Sequence, residues 1–268
     1  MSSNPPSPRL DHIVILVTYA TLETLSERLQ QWFVIAPGGT HADGLTANKL
    51  ILLPDGVYLE FIAFVRDVDP DRRRNHRWGT QTENTIIDWA LTLPTERDFP
   101  PVQQRVQAST SGFKYQDLVA GGRRRDDGTI LEWVISTAID SLGDATPPGR
   151  LPFWCLDRTP RGWRVPYQEQ PDLIQHPSQV LGISSVAVSA PEAQISGLAA
   201  AYNAISAPGD LTTATTRDWH YEVPSGSPAG KRTISLSGNG QGTNITFAFH
   251  GPVPGRIELL PGLVLTVE

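Results

Sequence analysis

Two nearly unbroken apolar runs frame the first quarter of the chain: Leu10-Asp11-His12-Ile13-Val14-Ile15-Leu16-Val17 and Val57-Tyr58-Leu59-Glu60-Phe61-Ile62-Ala63-Phe64. Short runs rich in β-branched and aromatic residues, bounded by turn formers, predict strands. Between them Leu22, Leu25, Leu29 and Trp32 recur at helical spacing, which predicts a helix over about 22–33 with Thr21 as its N-cap. Pro37-Gly38-Gly39-Thr40-His41 reads as a loop and Ala47 to Leu53 as another strand. Pro54-Asp55-Gly56 then reads as the hairpin turn into the Glu60 strand. The unit runs strand, helix, strand, strand, with room for one more short strand.

The same order returns twice. Ile86 to Leu93 repeats the layout of the first run, followed by a helix over about 100–110. A tight turn follows at Arg123-Arg124-Arg125-Asp126-Asp127-Gly128-Thr129, then strands Ile130 to Ser136 and Leu151 to Leu156. A third unit opens with Gly182 to Val188 and a helix over about 191–205, with Ile195, Leu198, Tyr202 and Ile205 on one stripe. Its strands are Thr233 to Ser237, Asn244 to Phe249 and Arg256 to Leu260, with Gly238-Asn239-Gly240-Gln241-Gly242 as a hairpin loop. Repetition on this scale sets the architecture. The expected class is α+β, with repeated βαβββ modules forming a curved mixed sheet around a cleft and a third similar module beside it. The expected boundaries are a disordered leader at 1–9, modules at 10–66 and 83–157, a connecting loop at 158–180, and the third module at 181–268. Residues 66–82, including Arg72 to Arg74, read as a surface connection.

Composition narrows the function classes. With 268 residues and 39% hydrophobic content the chain can bury a proper core. A formal net charge of −6 argues against a general nucleic-acid binder, which needs a basic surface. One cysteine, Cys155, excludes an internal disulfide and a cysteine-rich zinc site, and reads as an inert buried thiol. No apolar stretch approaches the roughly 20 residues of a membrane span. The first nine residues lack the apolar centre of a secretory signal, so the expectation is a soluble, cytoplasmic protein. No phosphate-binding glycine loop, nucleotide fingerprint or nucleophile elbow is present.

Chemistry concentrates at His12 and Glu60. An ionised carboxylate in an apolar strand costs several kcal/mol unless it is paired or bound to a metal, so Glu60 is either partnered or useful. Leu10-Asp11-His12-Ile13-Val14, Pro37-Gly38-Gly39-Thr40-His41, Thr46-Ala47-Asn48 and Tyr58-Leu59-Glu60 resemble the signature of the glyoxalase-like domain family of the vicinal oxygen chelate superfamily. Gly122 to Gly128, Leu151-Pro152-Phe153, Asp157-Arg158-Thr159-Pro160-Arg161 and His176-Pro177 extend the resemblance to about residue 180. It implies a cleft between paired modules, with the first and last strand of a module each giving one ligand to a divalent metal. His12 and Glu60 occupy those positions in the first module. In the second, Trp89 stands against His12, and Phe153, Trp154, Cys155 and Asp157 lie near the place of Glu60, so an evenly split four-ligand site is absent. An indole N–H cannot ligate a metal. In the third, Glu258 matches Glu60 with Ser184 or Ser185 opposite, which makes that module structural.

A metal would therefore need His12, Glu60 and a third donor, best supplied by His41. It would be one divalent ion of zinc, nickel, manganese or iron, and otherwise there is no cofactor. His41, Asn48, Trp89, Arg125, Trp133 and Trp154 are the candidate substrate-binding residues, with Arg161 and Arg164 at the cleft rim. The expected function is lyase or isomerase chemistry on a small oxygenated molecule, with Glu60 and His12 as catalytic residues. The alternative is metal-free binding and sequestration of an aromatic or polyketide-like small molecule. The expected partner is a small molecule, without nucleic acid or membrane, in a monomer or homodimer.

Overall fold

In the computed structural model the described residues are 7–125, 127–206, 209–211, 216–226, 232–239 and 242–268. The first unit comprises β1 (Arg9–Leu16), α1 (Tyr19–Glu23), α2 (Leu25–Leu29), β2 (Ala36–Thr40), β3 (Thr46–Leu52) and β4 (Tyr58–Phe64). After a short helix, α3 (Pro70–Asn75), the second unit comprises β5 (Thr85–Thr92), α4 (Phe99–Ala108), β6 (Phe113–Tyr115), β7 (Val119–Arg124), β8 (Ile130–Ser136), β9 (Ala138–Asp140) and β10 (Phe153–Asp157). One turn of helix, α5 (Arg161–Arg164), precedes the third unit: β11 (Gly182–Pro191), α6 (Glu192–Ile205), β12 (Asp210–Leu211), β13 (Thr216–His220) and β14 (Thr233–Asn239). The last strands are β15 (Asn244–His250), β16 (Gly255–Leu260) and β17 (Leu263–Val267).

The first two units join into an eight-stranded sheet of order β2-β3-β4-β1-β5-β10-β8-β7, the two opening strands lying antiparallel at its centre. The sheet curls until its edges meet: His41 bridges Arg123, and Ala42 N donates to Gly122 O at 3.0 Å. The class is α+β, with repeated modules curved around a cleft. A second sheet has the order β12-β13-β14-β11-β15-β17-β16. Its first four strands repeat the order β2-β3-β4-β1, and β11 lies parallel to β14 as β1 does to β4. One apolar core runs between the sheets through Ile13, Ile15, Trp89, Val186, Phe247 and Phe249, with α4 and α6 inside the sandwich. Both faces of β1 and β4 are therefore covered, which is why they read as continuous apolar runs.

Several elements differ from expectation for identifiable reasons. The helix expected over 22–33 is two short helices, because Thr24 Oγ1 bonds back to Ala20 O at 3.1 Å and interrupts it. Its N-cap is Thr18, whose Oγ1 accepts from Thr21 N at 3.0 Å. Pro37 to Thr40 belong to a strand rather than a loop. Gly38 lies so close to β3 that a Cβ there would stand 1.9 Å from Asn48 O, an approach open only to glycine. The disordered leader ends before Arg9, which already pairs with Thr92; the part of that expectation at 1–6 lies outside the described residues. Asp126 and Gly240-Gln241 of the expected turns also lie outside them. Asn244–His250 is not an inner strand of the third unit. It lies antiparallel to β11 as β5 does to β1, and opens a shorter unit with no helix between β15 and β16.

Candidate active site

Strand register decides which side chains enter the cleft. The β1–β5 ladder steps from Leu10 opposite Leu91 to His12 opposite Ala90, so Asp11 is the extra residue of a β-bulge beside His12. A mirror bulge on β5, between the Val14–Asp88 and Ile15–Ile86 pairs, makes Ile87 the extra residue there. His12 opposite Ala90 and Val14 opposite Asp88 are therefore equivalent pairs, and the second-unit counterpart of His12 is Asp88 rather than Trp89. The same register, Val14 to Glu60 and Ala90 to Phe153, sets Phe153 in the place of Glu60. In the third unit Ser185 and Ser235 hold the two positions, because the bulge between Ile183 and Ser185 repeats that at Asp11. Glu258 is exposed on β16 and accepts from Gly262 N at 3.0 Å, so it is no match for Glu60.

The curled sheet encloses a cavity of about 250 Å³. His12, His41, Asn48, Tyr58, Glu60, Trp78, Arg123, Trp133, Phe153 and Cys155 are among its lining residues. His12 Nε2 stands 3.5 Å from Glu60 Oε2, and His41 Nε2 stands 3.6 Å from Glu60 Oε1. Asn48 Nδ2 donates to Glu60 Oε1 at 2.6 Å, while its Oδ1 accepts from Gly39 N and from Arg123 Nη1, each at 3.1 Å. His41 Nδ1 lies 2.7 Å from Thr46 Oγ1. Burial pulls the His41 pKa down against the pull of Glu60, so the ring is neutral at pH 7 and presents one lone pair.

Beneath His12 sits a buried ion cluster. Its Nδ1 lies 2.7 Å from Asp11 Oδ2, and its ring stacks on Tyr58 at 4.5 Å between centroids. Arg164 donates to Asp11 Oδ2 at 3.1 Å, to Asp157 Oδ1 at 2.6 Å and to Tyr58 Oη at 2.6 Å; Arg161 bonds Asp11 from the other side. Burial works to raise the Asp11 pKa, but Arg161 and Arg164 together outweigh it and hold the carboxyl well below the usual range. Asp11 is thus an ionised acceptor, which places the proton of a neutral His12 on Nδ1 and a lone pair on Nε2.

The structure thus brings His12, Glu60, His41, Asn48 and Trp133 to one cavity. Trp89 and Trp154 point to the opposite face and are fully buried in the core, Trp89 Nε1 donating to Gly149 O at 3.1 Å. Strand alternation puts Ala90, Phe153 and Cys155 on the cleft face instead. Arg125 turns to a second cavity and pairs with Asp127 at 3.1 Å; Arg123 is the arginine that enters the site. Arg164 is buried in the ion cluster and lines the cavity, while the half-buried Arg161 completes the cluster. The segment at 66–82 is more than a surface connection, since His76, Arg77 and Trp78 form one wall of the cavity. Arg77 Nε and Trp78 Nε1 anchor it on Asp88 Oδ2 at 2.8 and 2.9 Å. Asp11 and Trp78 escaped the sequence reading, and of the run Arg123 to Arg125, any of which could clamp a carboxylate in the cleft, that reading chose Arg125 rather than Arg123. Asp11 sat in view beside His12, but only the bulge makes it a partner.

A metal is implied by the superfamily, and the donor set bears on it. His12 Nε2 and His41 Nε2 stand 3.5 and 3.6 Å from the two Glu60 oxygens, and this set of nitrogen and oxygen donors fits a divalent cation. Asp11, His12 and Cys155 also bring one donor atom each within 4.8 Å of one another, a spacing that a divalent metal can bridge. Both Asp11 oxygens are taken by arginines, however, and burial pushes the Cys155 thiol well above its ordinary pKa, away from a ligating thiolate.

A family model described as "Glyoxalase-like domain" matches residues 10–205. The chain belongs to the glyoxalase-like domain family. It is thereby placed in the vicinal oxygen chelate superfamily. No curated protein matches the sequence. Among solved structures, a hypothetical protein from Staphylococcus aureus is 12% identical with a TM-score of 0.68, covering 97% of this chain and 98% of its own. That likeness concerns the fold of the glyoxalase-like protein alone. A 4-hydroxymandelate synthase variant from Streptomyces coelicolor is 14% identical with a TM-score of 0.48, covering 92% of this chain and 72% of its own. No helix of the described residues is long and apolar enough to cross a membrane.

Proposed function

We propose that this glyoxalase-like protein is a lyase or isomerase that moves a proton at the carbon next to a carbonyl of a small oxygenated substrate. The observation that carries the reading is the approach of His12 Nε2 to Glu60 Oε2 at 3.5 Å in the wall of the cavity. Glu60 is the general base: Asn48 holds Oε1, leaving Oε2 to take the proton. His12, its ring fixed by Asp11 and stacked on Tyr58, is the second acid–base group: its Nε2 lone pair receives the proton from Glu60 and returns it to the substrate. Trp78, Trp133 and Phe153 give the cavity an apolar lining, beside which charge interactions are stronger than in water. Alternatively, a zinc, nickel, manganese or iron ion would be held by His12 Nε2, Glu60 and His41 Nε2 in place of that acid–base pair, and would supply Lewis-acid catalysis.

The test is hydrogen–deuterium exchange at the carbon beside the carbonyl, followed by NMR in deuterium oxide over a panel of 2-oxo and 2-hydroxy compounds. Glu60→Gln is expected to slow exchange by about 10²–10⁴-fold at an unchanged melting temperature. Exchange that survives the substitution would sink the assignment. On the metal alternative, elemental analysis of untagged protein is expected to show about one equivalent of metal, lost in His12→Ala and Glu60→Ala. The aromatic wall of Tyr58, Trp78, Trp133 and Phe153 favours sequestration as the second reading. Under it, a bound compound returns from the same incubation chemically unchanged and undeuterated.

A further inference from the structure

Three arginines line the cavity: Arg77, Arg123 and Arg164. Two are neutralised. Arg77 pairs with Asp88 at 2.8 Å, and Arg164 pairs with both Asp157 and Asp11. Arg123 differs. Its side chain belongs to a residue only 5% exposed, yet among the described residues it has no carboxylate within ion-pair distance. Among the described residues its one side-chain hydrogen bond is from Nη1 to Asn48 Oδ1, at 3.1 Å. The fold makes room for it deliberately: a Cβ on Gly39 would stand 3.1 Å from Arg123 Cδ, so the strand that closes the barrel passes directly over the arginine stem. Asn48 meanwhile separates Arg123 from Glu60, its oxygen on the guanidinium and its nitrogen on the carboxylate. The base is thus spared a direct ion pair, and Arg123, which lines both this cavity and the neighbouring one beside Arg125, keeps donors that no group among the described residues takes.

A desolvated guanidinium with spare N–H groups is complete only with an anion, and its planar fork matches a carboxylate. We propose that Arg123 is the specificity-determining residue of the site and that the substrate is a small carboxylic acid, its carboxylate on Arg123 and its reacting carbonyl facing Glu60 and His12. The assignment of the carbonyl rests on the proton-transfer reading above; the carboxylate subsite rests on Arg123 alone. The two anchors sit on opposite ends of one Asn48 side chain, and that short span suits a carboxylate adjacent to the carbonyl, as in 2-oxo and 2-hydroxy acids.

The experiment measures binding of pyruvate, 2-oxoglutarate and 2-oxo-4-phenylbutyrate, each against its methyl ester, by calorimetry and by the fluorescence of Trp78 and Trp133. The full-length protein is expected to bind at least one acid about tenfold or more tightly than its ester. Arg123→Gln is expected to bring the acid-to-ester ratio to about one. Arg123→Lys, which keeps the charge without the fork, is expected to retain part of it, and circular dichroism melts confirm that both variants fold. An acid-to-ester ratio near one in the wild type, no binding of any of the three acids, or a ratio unaltered in Arg123→Gln would each overturn the proposal. Glu60→Gln run in parallel separates the two readings: it is expected to lose proton exchange and keep the preference for acids. Exchange surviving there would remove the base and leave the Arg123 subsite standing.

Discussion

Asp11 and Arg164 are each tolerable inside the protein only because of the other. Asp11 is fully buried and Arg164 is 5% exposed, and their bonds to Asp157, Arg161 and Tyr58 leave two carboxylates facing two guanidiniums. Removing one partner leaves a charge stranded, which costs far more than the pair contributes. Arg164→Met is therefore expected to destabilise the fold by about 3–5 kcal/mol, read from the urea midpoint. Histidines supply a second residue-scale effect. His176 Nε2 donates to Leu52 O at 2.7 Å, and its Nδ1 accepts from Val34 N at 3.2 Å, a pattern that only the neutral ring satisfies. Burial lowers the pKa of His176, His41 and His76 below the ordinary 6.5. Such a ring binds fewer protons in the fold than in the unfolded chain, so its stabilising contribution is complete above 6.5 and is lost as pH falls through the folded value. The melting temperature is expected to drop on acidification from about pH 8 to about pH 5, and less steeply in His176→Gln.

At the scale of elements, β2 decides whether the cleft closes. It is the edge strand that reaches β7, and it can do so only because Gly38 accepts the β3 backbone against its Cα and Gly39 accepts Arg123. Gly38→Ala places a methyl group where Asn48 O already lies, so β2 must shift. The expected outcome is a loss of about 1–3 kcal/mol from overpacking. Release of the Gly39 N–H from Asn48 should accompany it, visible as faster amide exchange at Gly39. Protection at Gly39 equal to the wild type would show that the strand absorbs the methyl group elsewhere. The two bulges act likewise: one extra residue at Asp11 and another at Ile87 re-aim His12 and Asp88 without altering either strand's composition.

For the whole molecule, the relevant fact is that both sheets share one core. Trp89 stacks on Tyr202 with 9° between ring planes, Tyr202 Oη donates to Arg150 O at 2.9 Å, and Arg105 Nε donates to Ala204 O at 3.0 Å. Asp55, between β3 and β4, receives Arg232 at 2.6 Å and Ile183 N at 3.2 Å from the other sheet. The halves are cross-braced by apolar burial and by buried polar bonds, so the full chain is expected to unfold in one transition, coincident by tryptophan fluorescence and far-ultraviolet circular dichroism. A fragment of residues 1–181 holds the whole cleft yet exposes the outer face of its sheet. It is expected to bind a hydrophobic dye and to melt without cooperativity. A sharp melt of that fragment would show that the second sheet is dispensable.

The sequence by itself determined the elements and their repetition, because runs such as Leu10 to Val17 and the stripe Leu198, Tyr202, Ile205 carry their periodicity locally. It also determined that His12 and Glu60 are unusual, since charged or titratable groups in apolar strands need a reason to be there. Tertiary structure alone decided which residues join them. Register and bulges are set by packing between strands distant in the chain, and a one-residue step moves a side chain to the other face of the sheet. For that reason Asp88 rather than Trp89 answers His12, and Trp154 lies in the core while Phe153 and Cys155 face the cavity. Only closure of the barrel, a contact between residues 75 positions apart, brings Arg123 over Asn48 and leaves a buried cation waiting for its anion.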